Sequence, residues 1–466
     1  MGVSNTDALP VAIIGAGPIG LAAAAHLAER GIAFKVYEAR ETVGANIRDW
    51  SHIRIFTPWS LATDTASRRL LARAGWPEPP AVALPTGDDI YRLYLKPLAR
   101  VPELAPHIET GARVEAIARL GIDKVASKDR AEHPFRLTIA RAGERPRHDL
   151  ARAVIDASGT WQNPNPLGAS GLPAEGEAEF ADRMAYGMPD VLGLPRANYA
   201  GRRVAVVGGG FSAINVLLDL IRLAEQEPRT AIAWVVRSTR MARIYGGGEA
   251  DELPARGALG ARLRGLVEGG KVQLIQGFAT TGLRRVSGGI ALAGETPSGP
   301  RVLEPVDRIV VATGQRPDLA VTRELRLELD PWLESVKALG PLIDPNLHSC
   351  GSVPPHGHRE TAHPEPGFYT IGVKSYGRAP TFLLLTGYEQ ARSVAAALAG
   401  DMAAADAVQL TLPETGICET DDLGDGPGCC GGPAPAEIAA RLDACCIKDA
   451  VAKVAGKQGC GCGPAA

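Results

Sequence analysis

No cysteine precedes Cys350 in this chain of 466 residues, so everything before that point lacks a thiol to serve as nucleophile, metal ligand or half of a disulfide. The other seven of the 8 cysteines, Cys418, Cys429, Cys430, Cys445, Cys446, Cys460 and Cys462, crowd into the last fifty or so residues. Charge imbalance is also missing. The formal net charge is −2 with 22% charged residues, which argues against nucleic acid or an anionic membrane surface as partner. No apolar run approaches the roughly 18 residues of a membrane span, and the N-terminus lacks the basic-then-apolar pattern of a secretory signal. A cytoplasmic protein is expected, in which clustered thiols stay reduced and suit metal, metalloid or redox work better than structural disulfides. Two look-alike motifs are set aside. MGVSNT fits a myristoylation pattern, but a strand begins a few residues later; LPETG (Leu412 to Gly416) has the form of a sorting signal but runs into acidic, cysteine-rich sequence.

What is present is glycine, 54 residues of it, and two glycine loops carry the functional reading. The first is VAIIG running into GAGPIG (Gly15, Gly17, Pro18, Gly20), then a helix and the strand FKVYE ending at Glu38. The second is VAVVG running into GGGFSA (Gly208, Gly210, Phe211, Ser212, Ala213), then a helix and the strand AIAWVVR ending at Arg237. Glycine-rich turns also serve plain strand-to-helix packing. Here each loop follows an apolar strand, opens an apolar helix and meets a charged residue at the next strand end, which is the context a dinucleotide fingerprint requires. Such loops let the backbone approach a pyrophosphate, whose charge rests on the helix N-terminus. A carboxylate at the strand end suits two ribose hydroxyls and a guanidinium suits a 2′-phosphate. The first loop is therefore expected to bind FAD and the second NADPH, with Arg240 and Arg243 adding positive charge near Arg237.

The length allows two to three domains. The expected class is α/β, with two Rossmann-like domains: a discontinuous FAD domain (1–195 and 306–412) holding an inserted NADPH domain (196–305), followed by a Cys-rich flexible tail (413–466). The strand ARAVIDASGT places Ser158 and Gly159 where the chain passes a bound nucleotide. VDRIVVATGQRPD, with Thr313 and Gly314, is read as the return to the first domain. An amphipathic helix from near Thr386 either directs its positive end at the flavin or simply covers the core.

GAGPIG with Glu38, GANIRDW, DASGTW, GGGFSA with Arg237 and VATGQRPD, in that order over about Pro10 to Asp401, resemble the two-dinucleotide-domain flavoprotein oxidoreductases, especially flavin-containing monooxygenases. SHIRIFTPW, YGMPDVLG and KSYGRAPTFLLLTGYEQ further resemble bacterial FAD-dependent oxidoreductases of arsenic-resistance gene clusters. The resemblance implies FAD contacts also at Arg40, Gly44, Asn46, Trp50 and Val114. It departs at two places. The monooxygenase Phe-x-Gly-x-x-x-His fingerprint aligns to Phe180, Asp182 and Tyr186, without its glycine or histidine; and Gly372-Val373-Lys374 stands where disulfide reductases carry an aspartate for the ribityl chain. Those reductases also hold a Cys pair against the flavin, which this chain lacks before Cys350.

The expected activity is an NADPH- and FAD-dependent monooxygenation, using molecular oxygen, of a small soft nucleophile, with trivalent arsenicals preferred. His52, Arg54, Lys374, Tyr376 and Arg378 are expected to line the pocket, as residues of two loops that meet at the flavin; surface or packing roles are their plainer alternative. Thiolates select soft ions, so the seven tail cysteines are candidate metal or metalloid ligands. Rivals are an NADPH-driven reductase of metal ions or disulfides using the tail thiols as shuttle, and a metal-sequestering flavoprotein without turnover. The residues leave oligomeric state open.

Overall fold

A computed structural model describes residues 6–346, 353–380 and 382–413. Cys350 and the candidate ligands Cys418, Cys429, Cys430, Cys445, Cys446, Cys460 and Cys462 lie outside the described residues, as do Met1 to Asn5.

Two five-stranded parallel sheets form the frame. The first is built on β1 (Val11–Ile14), every residue of which is buried. Its neighbours are β2 (Phe34–Tyr37), then β3 (Ile108–Glu109), on one side, and β7 (Ala153–Asp156), then β16 (Phe368–Thr370), on the other. Strands covered on both faces read as unbroken apolar runs, as VAII does here. The helix Pro18–Glu29 (PIGLAAAAHLAE) is buried along Leu21, Ala22, Ala23, Ala24, Ala25 and Leu27. Small side chains on several sides let neighbours approach it closely, including the last long helix, Leu384–Leu398, which contributes Ala391, Val394 and Ala395 to the same core.

The second sheet is built on β9 (Arg203–Val207), flanked by β10 (Ala231–Val235) and β11 (Gln273–Ile275) on one side. On the other side stand β15 (Arg308–Val311) and β8 (Met184–Tyr186). Both of these lie outside residues 196–305. RIVV, read from sequence as already returning to the first domain, pairs with β9 in parallel register, Val310 opposite Val206. The return comes one turn later, at Ala312 to Arg316. The helix Phe211–Gln226 buries one stripe, including Ala213, Ile214, Leu217, Leu220 and Ile221, in the pattern of a helix with one wet face.

Two antiparallel three-stranded sheets complete the fold. β4 (Arg113–Arg119), β5 (Phe135–Ala140) and β6 (Arg147–Ala151) cover one face of the first sheet, with Val114, Ile117 and Leu137 in the same buried cluster as Ala12 and Ile14. β12 (Ala279–Val286), β13 (Gly289–Thr296) and β14 (Gly299–Val302) do the same in the second unit. The chain crosses between units twice, and the crossings run side by side: Pro164 bridges Gln315, and Asn165 donates from its backbone N to Gly314 O at 2.9 Å.

Candidate functional site

The first glycine loop is a cradle whose inner side is full and whose outer side is open. Gly15 has φ +97°, and a Cβ there would stand 2.8 Å from Ala157 O. At Gly20 a Cβ would meet Gly15 O at 1.9 Å, whereas at Gly17 it would meet nothing within 4 Å. Gly17 is the N-cap of the helix Pro18–Glu29, and no side chain caps that end. Its first-turn amides therefore remain for a ligand, and Pro18 at the first position sacrifices no bond. Glu38 stands beside the loop, one residue past β2. Its carboxylate accepts from Ala16 N at 2.9 Å and from Arg40 N at 3.0 Å, which fixes its direction and leaves further lone pairs for ribose hydroxyls.

Around this cradle the residues expected at the flavin take defined places. Arg40 is paired with Asp49 at 2.6 Å, Gly44 (φ +60°) donates from its N to Ala16 O at 2.9 Å, and Asn46 accepts from Gln162 Nε2 at 2.9 Å. The Trp50 ring lies where a Cβ on Gly87 would be 2.8 Å away. Val114 is buried in the apolar cluster beneath β4, with Ala12, Ile14 and Tyr37. Gly159 (φ +74°) lies against Val373.

Two helix starts converge next to this loop. Ile19, in the first turn of Pro18–Glu29, lies 3.4 Å from where a Cβ would sit on Gly372 and 2.5 Å from one on Gly387. Gly387 and the buried Thr386 belong to the first turn of Leu384–Leu398, which also has no side-chain cap. Open amide ends of two helices beside one loop favour negative charge. With the open face at Gly17 and the carboxylate of Glu38, they fit a flavin dinucleotide. Gly372 (φ +72°) is held by Gln390, whose Oε1 accepts from its N at 2.8 Å. The Gln390 amide nitrogen in turn lies 3.0 Å from Ser375 Oγ and 3.2 Å from His356 Nε2. Burial keeps His356 below the usual imidazole range, so this support is neutral.

The five residues expected to line the pocket are dispersed. Lys374 is buried, its Nζ 2.7 Å from Asp156 Oδ2 and 3.1 Å from Ser158 Oγ. Burial alone would raise the Asp156 carboxyl; the Lys374 ammonium and hydrogen bonds from Lys374 and Ser158 hold it below its ordinary value. A cavity of about 10 Å³, room for one water, lies beside this pair among Leu319, Thr322, Glu334 and Thr370. Tyr376 is wholly buried, edge-on to Phe382 with ring centroids 5.2 Å apart, and burial raises its phenol. Arg378 forms two hydrogen bonds to Glu334, at 2.8 and 3.0 Å. Arg54 is exposed and donates to Leu84 O. His52 Nε2 is buried with no hydrogen-bond partner among the described residues. It lies near Asp219 of the second unit, whose carboxyl burial raises while Arg222 and His52 oppose the rise. Lys374 and Tyr376 thus support the Gly372 loop from within, and His52 sits at the boundary between units. Sequence reasoning missed Asp156, Gln390 and His356; only the Asp of DASGT, at a strand end, carried a signal.

The second cradle repeats the first with a different rim. Gly208 has φ +138°, and a Cβ would stand 2.1 Å from Ala312 O; at Gly210, the N-cap, it would meet nothing within 4 Å. Ala213 is buried, Ser212 half-buried, and the Phe211 ring packs on Phe56 of the first unit, centroids 5.0 Å apart. Trp234 Nε1 donates to Gly208 O at 2.8 Å, bracing the loop. Arg237 is exposed two residues past β10 and donates to Ala169 O at 2.8 Å. Thr313 Oγ donates to Asn165 O at 3.0 Å, and Gly314 has φ +85°.

Among the described residues no helix is long and apolar enough to cross a membrane. The family model described as pyridine nucleotide-disulphide oxidoreductase matches residues 12–336. No curated protein matches. Among solved structures, a bacillithiol disulfide reductase from Bacillus cereus is similar with TM-score 0.62 and 18% identity over 84% of this chain and 99% of that one. A flavin-containing monooxygenase from Stenotrophomonas maltophilia gives TM-score 0.53 and 20% identity over 84% and 98%. An ornithine hydroxylase from Pseudomonas aeruginosa gives 0.54 and 16% over 84% and 99%. At these identities the likeness is one of fold.

Proposed function

The chain belongs to the pyridine nucleotide-disulphide oxidoreductase family and is an FAD- and NAD(P)H-dependent oxidoreductase, and from that premise we propose that it is an NADPH-dependent monooxygenase of small, soft nucleophiles, with trivalent arsenicals as preferred substrate. The observation that carries this reading is two complete dinucleotide cradles in a chain with no cysteine before Cys350. Electrons drawn from NADPH then have no built-in thiol pair within the matched span to receive them, and the acceptor comes from outside it. Molecular oxygen is the simplest such acceptor: two electrons from NADPH and the protons that accompany them place one oxygen atom on a lone pair of the substrate and release the other as water. The arsenical preference rests on the resemblance in SHIRIFTPW, YGMPDVLG and KSYGRAPTFLLLTGYEQ, and on a tail rich in soft ligands.

Bound FAD supplies hydride acceptance and oxygen activation. The protein supplies grip and environment. Glu38 takes the ribose hydroxyls, the amides after Gly17 take the pyrophosphate, and Arg237 takes the 2′-phosphate of the second nucleotide. The first turn of Leu384–Leu398 offsets negative charge near Gly372. Lys374, paired to Asp156, holds the Gly372 loop against the strand end carrying Ser158 and Gly159.

The test is stoichiometry on FAD-loaded protein. One NADPH and one oxygen consumed per As(III) converted to As(V) supports the reading; NADPH consumption indifferent to As(III) and to organic sulfides overturns the substrate class. The clustered tail cysteines favour a second reading, reduction of metal ions or disulfides. It predicts anaerobic NADPH consumption that stops in Cys460→Ser/Cys462→Ser.

A further inference from the structure

Three loops meet at Gly171, between the two cradles. The outward crossing continues into Gly168 to Gly171, which is fixed to the second unit where Ala169 N donates to Thr280 O at 2.9 Å. Its Ala169 O is the carbonyl that holds Arg237. The return crossing contributes Gln315, whose Oε1 accepts from Thr160 Oγ at 3.1 Å, and then Arg316. The Gly372 loop, followed two residues past Tyr376, contributes Arg378. Arg316 donates from Nε to Asn165 Oδ1 and from Nη2 to Gly171 O, both at 2.8 Å. Arg378 spends Nε and Nη2 on Glu334. Among the described residues, Nη1 of each arginine has no acceptor. A Cβ built on Gly171 (φ +82°) would find only these two side chains within 4 Å, Arg378 Nη1 at 3.8 Å and Arg316 Nη2 at 4.0 Å.

Two guanidiniums this close repel one another unless anions answer both. Glu334 answers Arg378. Arg316, half-buried, is held by a side-chain amide and a carbonyl, with no carboxylate at ion-pair distance among the described residues. The meeting point therefore keeps one positive charge and unspent donors on both arginines. A strained backbone aims Arg378 at it. Glu334 has φ +56°, one of two non-glycine residues with positive φ among the described residues. Gly377 (φ +59°) passes so near Leu333 that a Cβ would stand 2.1 Å from Leu333 O, the atom that accepts from Arg378 N at 2.7 Å. Strain of this kind persists where the surroundings over-determine it, and it gathers at ligand sites. Here it fixes a carboxylate on two nitrogens of Arg378 and turns the third toward Gly171.

We propose that Arg316 and Arg378 form an oxyanion subsite at Gly171, taking one tetrahedral anion between the Gly372 loop and the rim of the second cradle. Planar guanidiniums bind phosphate-type oxygens through paired N–H donors, and two such groups can share one anion. The anion has two sources. One is the 2′-phosphate of the second nucleotide, because the same loop holds Arg237. The other is a free sulfate-, phosphate- or arsenate-type ion. Only the second source rests on the arsenical reading, in which oxidation turns an uncharged As(III) species into an oxyanion.

The experiment is a thermal-shift titration of the full-length, FAD-loaded chain with sodium sulfate, against sodium chloride at matched ionic strength. Sulfate should raise Tm beyond chloride and saturate. Arg316→Gln and Arg378→Gln should each weaken sulfate about tenfold, the worth of one charge-assisted hydrogen-bond set. Gly171→Asp puts a carboxylate between the guanidiniums in a backbone region that Asp tolerates. It should abolish the response, and Gly171→Asn, of the same shape without the charge, should weaken it less. No response beyond chloride, or equal responses in the native chain and the arginine variants, overturns the subsite. Oxidation of NADPH and NADH with ferricyanide as acceptor then identifies the source. A KM raised in Arg316→Gln for NADPH alone, with sulfate competing against NADPH alone, assigns the 2′-phosphate; a sulfate shift that adds to that of NADP+ assigns a free oxyanion. Either result supports the subsite, and neither uses oxygen stoichiometry, so a failure of the monooxygenase reading is told apart from a failure of this one.

Discussion

The two glycine cradles share a backbone and differ in what surrounds them. Around the first, the helix is buried along most of its length, the strand-end carboxylate is fixed by two backbone amides, and the supporting charges are interior: Lys374 and Asp156 are 4% and 1% exposed. Around the second, the helix keeps a wet face, and the strand-end arginine is exposed and held by one carbonyl. A site enclosed in a core suits a cofactor that arrives once and stays; a site with an exposed charged rim suits one that exchanges at every turnover. The difference lies in the packing outside the motif.

The largest effect should come from adding one methyl to each cradle. Gly20→Ala forces a Cβ to 1.9 Å from Gly15 O, and Gly208→Ala to 2.1 Å from Ala312 O at φ +138°. Gly20→Ala is expected to purify without flavin absorbance, if it folds. Gly208→Ala should keep its flavin and raise KM for NADPH more than tenfold, a split of at least about 1.4 kcal/mol. A Gly208→Ala protein that also loses flavin would break the contrast between the sites.

Removing a charge should act oppositely in the two regions. Lys374→Met leaves Asp156 buried and unpaired, which costs on the order of 3–5 kcal/mol and should appear as a lower urea midpoint. Replacing both, as Lys374→Met/Asp156→Leu, should restore much of that loss. Such a recovery would identify the pair as structural support for the Gly372 loop.

The interior of the first region should also be acid-sensitive. His363 Nδ1 accepts from Glu328 N at 3.3 Å and Nε2 lies 2.9 Å from Thr370 Oγ; burial pushes its pKa down to about 4. Between pH 4 and the ordinary value of about 6.5, the unfolded chain holds a proton that the folded chain does not. The stability gained from neutral His363 is therefore complete above pH 6.5 and lost as pH falls toward 4, at most about 3 kcal/mol. Urea midpoints at pH 7 and 5 should differ less in His363→Gln than in the native chain.

The smallest effect belongs to the open rim. Arg237→Ala should raise KM for NADPH about tenfold, the worth of one charge-assisted hydrogen-bond set, with little change in NADH kinetics or stability. Equal loss for both nucleotides would remove Arg237 from the 2′-phosphate.

These contrasts also separate what the sequence disclosed from what it concealed. The cradles were legible because glycine, apolar strand and strand-end charge fall within some thirty residues, a distance over which local geometry determines neighbours. β15 was misplaced because RIVV is apolar on both faces and so fits either sheet; its pairing with β9 is settled a hundred residues away. Lys374 and Tyr376 were seen as a polar loop, and only folding shows that Asp156, 218 positions earlier, receives the lysine. His356 and Gln390 had no local pattern, since a neutral hydrogen-bonded pair leaves no charge or spacing to detect.

The paired crossings, with Asn165 against Gly314 and Pro164 against Gln315, have a consequence for ancestry and engineering. Entry and exit lie within a hydrogen bond of each other, so the covalent joins of everything between them form one narrow waist while packing such as Phe56 on Phe211 adds the rest of the contact, and a short linker closing that gap would leave the first sheet's strands in place. Residues 166–313 are thus a transplantable module: a nucleotide reader that a genome, or a bench, can exchange for another without redrawing the scaffold that holds it.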